Sequence, residues 1–244
     1  MEVHHHSHTA RKKWTHYFWE FFMLFLAITL GFFVENQREH FIESKRAKEY
    51  AYMFKRDLVS DTLLLKRFLD IKDSSIKEFN WLIKFYKTPK EEITFGQWDS
   101  MHNQSISLNV FKPSDATYSL LKSSGNLRYF MDTTLLSKIS EYDSWNQALN
   151  EFRGIANSFY GGLSSNHMLR SNILGRQFFR KHKNTQPGIL LKDAGYDFES
   201  WDESAEINVS YIRSLSTMYN HYYPQIKRVA TELIILLNKK YHLN

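Results

Sequence analysis

Glu20-Phe-Phe-Met-Leu-Phe-Leu-Ala-Ile-Thr-Leu-Gly-Phe-Phe-Val34 is the stretch whose reading decides the fold. From Phe21 to Val34 only Thr29 is polar, so the run is apolar on every side and not along one stripe. Counted from Tyr17 it holds 18 residues, with Glu20 as its one charge. At a rise of about 1.5 Å per residue it covers roughly 27 Å, close to the thickness of bilayer hydrocarbon. Arg11, Lys12 and Lys13 precede it, and Trp14, Tyr17 and Trp19 stand at its start. Aromatic rings of this kind favour the headgroup region, and basic residues favour the cytoplasmic side. The expectation is a transmembrane helix over residues 17–34. A cleaved signal peptide fits poorly, because Phe32-Phe-Val-Glu-Asn36 offers no small-residue site.

Behind the run, Arg38 stands nearly alone until Lys45, Arg46 and Lys48. The nearer positive flank therefore predicts a cytoplasmic tail over residues 1–16 and an exported domain over residues 35–244. Within the anchor, Glu20, Ala27 and Gly31 lie on one face at about 100° per residue. Ala27-x-x-x-Gly31 is a small-xxx-small pattern that admits a second helix at close range, with Glu20 as a polar contact. Its plainer alternative is a Glu20 that reaches water at the headgroup boundary. A proton-relay role for Glu20 is the remaining option. His4, His5, His6 and His8 in the tail could bind a transition metal, but no nearby Asp or Cys completes a ligand set, and a plain tail is the simpler reading.

The rest of the chain reads as all-α. Its 244 residues contain four prolines and nine glycines, few for a protein of many tight turns. Nothing breaks the chain between Gly31 and Ile71, and Ala47, Ala51, Phe54, Leu58, Leu65 and Leu69 recur at helical spacing. The transmembrane helix is therefore predicted to continue into an elongated bundle of about four main helices. A second helix is expected over residues 74–86, stopped by Thr88-Pro89. Residues 90–112 read as an irregular loop. A short helix follows at 116–122, ended by Gly125. A long helix capped by Asp132 then runs toward Gly161-Gly162. Residues 180–200 read as an exposed connection. Asp202 or Ser204 is expected to cap a last helix reaching Tyr241, kinked at Pro224 and buried along Ile226, Val229, Leu233 and Leu237.

The net charge is +6, but basic residues are interleaved with acidic ones, as in Glu43-Ser-Lys-Arg-Ala-Lys-Glu49. That mixture describes a solvated helix face and argues against a nucleic-acid stripe. Cysteine is absent, which removes disulfides and thiol chemistry.

Met1-Glu-Val-His-His-His6, the run from Glu20 through Glu35-Asn36, then Arg38-Glu39, and the block Thr117-Tyr-Ser-Leu-Leu-Lys-Ser-Ser-Gly-Asn-Leu127 resemble a family of single-pass membrane proteins of Bacteroidota. The resemblance spans most of the chain. It implies residence in the inner membrane of a Gram-negative bacterium and implies no activity.

No glycine-rich phosphate loop, zinc helix or nucleophile elbow is present. Ser123-Ser124-Gly125 reads as a helix end. His102 with Asp99 reads as loop residues, Arg180-Lys-His-Lys183 as an exposed basic loop, and Tyr211, Tyr219, Tyr222 and Tyr223 as core. The sequence thus predicts a non-enzymatic accessory, scaffold or sensor-like subunit of a membrane assembly. It would need no cofactor, and would partner lipid and either itself or another membrane protein. An oligomeric channel or transport component, and a membrane-tethered hydrolase built on His102, are the alternatives.

Overall fold

A computed structural model describes residues 14–103, 110–162, 177–178, 180–182, 184–198 and 201–243; the side chains of 102–103, 159–162 and 203–204 lie outside the description. The fold is all-α. Helices run α1 Trp14–Asp70, α2 Lys72–Lys87, α3 Phe95–Asn103, α4 Ala116–Ser123, α5 Thr133–Gly162, α6 Trp201–Thr217 and α7 Tyr223–Tyr241. Single 3-10 turns occupy Lys90–Glu92 and Asn126–Tyr129, and a π-turn at Met218–Tyr222 joins α6 to α7. Among the described residues no strand forms; Thr94 and Leu190 make one isolated antiparallel bridge. The chain divides into two units, Met1–Tyr50 and Ala51–Asn244.

In the second unit the helices pack through stripes with alternating spacings of three and four, the pattern that keeps side chains facing a neighbouring helix. On α1 the buried residues are Ala51, Phe54, Leu58, Asp61, Leu65 and Phe68. Leu69, expected in this stripe, is half-buried, because Phe68 and not Leu69 continues the alternation from Leu65. On α5 the stripe is Leu135, Ile139, Tyr142, Asn146, Leu149 and Ala156. On α7 it is Ile226, Val229, Ala230, Leu233 and Leu237, all fully buried. Helix α5 packs on α6 and α7, and α2 packs on α6. Each fully buried Leu or Ile contributes about 1.5–3 kcal/mol of transfer free energy, so these stripes hold the bundle together.

Local chemistry sets the helix ends. The Leu135 N–H donates to Asp132 Oδ1 at 3.0 Å, and Lys240 reaches the other oxygen at 2.9 Å, tying the start of α5 to the end of α7. Gly125, at φ 68°, turns the chain after α4 in the left-handed region that glycine enters without a Cβ clash. Thr88 is extended, with ψ 134°, as a residue before proline should be.

Residues 90–112 depart from the expected loop, since they contain α3. The Thr94 N–H donates to Gln97 Oε1 at 2.9 Å and the Gln97 N–H donates to Thr94 Oγ1 at 3.2 Å, a reciprocal capping box. The Phe95 and Gly96 N–H groups then donate to the carbonyls of Ile189 and Pro187. A Cβ on Gly96 would stand 2.9 Å from the Pro187 Cβ, so this approach requires glycine.

The stretch 180–200 departs as well. Leu191 is fully buried, and Tyr196 and Phe198 pack with Phe85, Phe95, Trp98 and Trp201 in an aromatic cluster. Helix α6 begins at Trp201, whose N–H donates to the Phe198 carbonyl, and Asp202 pairs with Lys90 at 2.8 Å. At Pro224 the helix meets its missing N–H with the preceding π-turn. The wider turn shifts the Tyr223 N–H onto the Met218 carbonyl and makes room for the ring.

Candidate functional site on the first helix

The residues that the sequence marks for the membrane stand at the start of α1. The apolar run needs no cap to stay helical, because backbone groups in an unbroken helix bond one another, which hydrocarbon demands of any spanning segment. Its single hydroxyl follows the same rule: Thr29 Oγ1 donates to the Phe25 carbonyl at 2.8 Å. From Tyr17 to Val34 every large apolar side chain is exposed, and Phe25, near the middle, is 55% exposed. None of the apolar window is buried by the rest of the chain. A continuous patch of Phe, Leu, Ile and Met far exceeds what a monomer leaves in water, so α1 carries a segment long and apolar enough to cross a membrane.

Trp14, Tyr17 and Trp19 are exposed at the polar end; Phe18 stacks on Phe22, and Trp19 meets both rings edge-on. His16 Nε2 lies 3.2 Å from a Glu20 carboxylate oxygen, one turn away. Glu20 therefore has a basic neighbour on its own helix at the end of the run. Beyond the run, Arg38 pairs with Glu35 at 3.0 Å, and this neighbour holds the Glu35 carboxyl below its usual range. Charges thus bracket the run from Phe21 to Val34 and are absent within it.

Glu20, Ala27 and Gly31 fall on one exposed face, as their spacing requires. A Cβ built on Gly31 meets nothing within 4 Å, so among the described residues no contact calls for glycine there. Arg11, Lys12, Lys13 and the tail histidines lie outside the described residues.

The other candidates stand elsewhere. Ser123 and Ser124 each donate back to the Leu120 carbonyl at the end of α4, so both hydroxyls serve the helix end. Asp99 lies on α3, and the His102 side chain is outside the description. Arg180 and Lys181 are exposed, and His182 stacks on Phe178 at 4.2 Å; Lys183 lies outside the description. Tyr219 and Tyr223 are buried among Phe68, Phe79 and Phe111, where burial raises both phenols above their ordinary value. Tyr211 and Tyr222 are half-buried. Among the described residues no three His, Asp or Glu side chains come together as a metal site.

The bundle carries clefts, among them two lined by described residues. One, of about 500 Å³, is lined by exposed charges including Lys87, Asp202, Glu206 and Arg213. The other, of about 220 Å³, lies between α5 and α6 against Phe152, Ala156 and Ile207.

The polar residues missed by the spacing argument are Asp61, Tyr142 and Asn146, which occupy stripe positions in α1 and α5. Their signal was available, since Asp61 falls between Leu58 and Leu65 on the same three-four rhythm. No protein family, curated protein or solved structure matches this chain.

Proposed function

We propose that this protein is a single-pass, membrane-anchored accessory or scaffold subunit that works by association and not by catalysis. The observation that carries the reading is the apolar run of α1, exposed on every side, with Trp14, Tyr17 and Trp19 at one end and the Glu35–Arg38 pair beyond the other. Lipid is the solvent whose properties match that surface. The excess of Arg11, Lys12 and Lys13 supports a cytoplasmic N-terminus and an exported bundle. The resemblance to Bacteroidota membrane proteins supports an inner membrane as the compartment.

The partner is another transmembrane helix, from a second copy or a different chain, seated on the face of Glu20, Ala27 and Gly31. The unused space at Gly31 supports this choice, because a small residue there is unexplained by the chain's own packing. Full-length protein expressed in cells should stay in the membrane pellet through an alkaline wash and leave it only with detergent. Recovery in the soluble fraction would defeat the proposal. Gly31→Ile should lower the oligomer size or partner recovery in the detergent extract, whereas an unchanged assembly would remove the helix face from the account.

A further inference from the structure

The second unit buries a carboxylate that the anchor does not use and whose surroundings owe nothing to the membrane. Asp61 is 1% exposed, on the stripe of α1 between Leu58 and Leu65. One of its oxygens accepts the Ser114 N–H at 2.8 Å, and the other accepts the hydroxyl proton of Tyr142 on α5. One turn away, Asp57 accepts the Thr117 N–H at 3.2 Å and lies 4.0 Å from Arg56. The groups that face Asp61 are thus Asp57 on α1, Tyr142 on α5, and the uncharged Ser114 beside α4; among the described residues no cation pairs with it. A buried carboxylate with a second carboxylate as its nearest charge is costly to ionise. Burial accordingly raises the Asp61 carboxyl above its ordinary value, with Asp57 adding to the rise and the Tyr142 and Ser114 hydrogen bonds opposing it.

Next along the α5 stripe, Asn146 hydrogen-bonds the Tyr142 hydroxyl, yet its own buried Oδ1 has no hydrogen-bond partner. An orphaned acceptor beside a donor that could turn toward it marks an arrangement with a second state.

We propose that Asp61 is a proton-binding site whose occupancy switches the Asp61–Tyr142–Asn146 network and tightens α1 on α5. On protonation the new Asp61 O–H donates to the Tyr142 oxygen. The Tyr142 hydroxyl proton swings to Asn146 Oδ1, which a half-turn of the amide brings round. The other Asp61 oxygen keeps the Ser114 N–H. The Asn146 acceptor is then paired in exchange for the amide N–H that held the Tyr142 oxygen, so the net gain is that Asp61 no longer carries a charge inside the bundle. The sign follows from linkage. A carboxyl whose folded value lies above its unfolded value contributes stability below the unfolded value and loses it as pH rises through the folded value. Acidification through the folded value therefore strengthens this contact.

The test compares full-length wild type with Asp61→Asn in detergent, following the thermal midpoint between pH 5 and pH 8. Asn copies the protonated form: its carbonyl accepts the Ser114 N–H and its amide donates to Tyr142. Asp61→Asn should melt ~2–4 °C higher than wild type at pH 8, with the gap narrowing as the pH falls. All other carboxylates are common to both proteins and cancel in the difference. Infrared spectra of wild type should show a protonated carboxyl at a pH well above the ~3.9 of an exposed Asp, lost in Asp61→Asn. A gap that does not change with pH, an Asp61→Asn protein that fails to fold at pH 8, or the absence of that carboxyl band would each overturn the proposal.

Discussion

Helix α1 changes character along its length, and its two ends are written differently. From Tyr17 to Val34 apolar side chains cover the whole circumference and all are exposed. From Ala51 to Phe68 one stripe of apolar residues is buried, and the remaining faces carry Lys55, Arg56, Lys66 and Arg67 beside the exposed Tyr52 and Leu63. The backbone is the same helix throughout. Only the angular distribution of apolar residues changes, and that distribution reports which neighbour the helix has. A stripe needs another helix, while a full coat needs a surrounding apolar medium.

The sharpest way to break this contrast is to make equal cuts in both ends. Leu65→Ala, at a fully buried stripe position, should lower bundle stability by about 2–5 kcal/mol, read as a drop in the unfolding midpoint. Leu24→Ala removes the same atoms from a side chain that is 62% exposed and should leave that midpoint within about 0.5 kcal/mol. A loss of similar size at both positions would mean that the anchor packs on the protein itself. The converse cut is a charge. Phe25→Arg should oppose membrane insertion by about 2.5–3.5 kcal/mol, seen as a shift of protein from the membrane to the soluble or aggregated fraction.

Glycines sharpen the contrast on a smaller scale. Gly125→Ala forces a Cβ into the left-handed region and should cost the bundle about 1–2 kcal/mol, although the Cβ would meet no neighbour. Gly31→Ala, equally free of neighbours but in regular helix, should leave bundle stability unchanged.

The smallest effects belong to surface charges. Lys138 and Arg228 pair with Glu141 and Glu232 across α5 and α7. Arg228→Ala should cost less than about 1 kcal/mol and less still in high salt. Asp132, Glu141 and Glu232 are held below the ordinary carboxylate range: Asp132 chiefly by the Leu135 N–H, Glu141 and Glu232 first by Lys138. Their contribution is present above the unfolded values near ~4 and is lost as the pH falls through the lower folded values. Acid unfolding of Asp132→Asn should therefore depend less steeply on pH than that of wild type.

Features governed by neighbours in sequence were legible from the residues alone. The unbroken α1, the stop at Thr88-Pro89, the Asp132 cap, the Gly125 turn and the stripe from Ile226 to Leu237 each follow from chemistry within one or two turns. What depended on distant chain was not legible. Gly96 read as a loop residue, yet it serves helix α3 because Pro187 crosses it. Leu191 sat in a polar stretch and gave no hint of full burial, because the aromatics that cover it come from α2, α3 and α6. Thr94-x-x-Gln97 was a readable capping box, masked by the many Asn and Ser residues around it. Asp61 was masked differently: a search for apolar periodicity steps over a carboxylate even when it occupies a stripe position.

The absence of native cysteine permits one direct test of the central claim, that the coated end of α1 lies in lipid and the striped end in water. Phe25 and Leu63 are 55% and 58% exposed in the protein itself, so folding shields neither. Single Phe25→Cys and Leu63→Cys variants, in intact membranes opened to both faces, should be treated with a charged maleimide. The predicted result is that the Leu63→Cys protein labels at once, while the Phe25→Cys protein stays protected until detergent or denaturant removes the bilayer. Equal labelling of both variants before any detergent is added would contradict it.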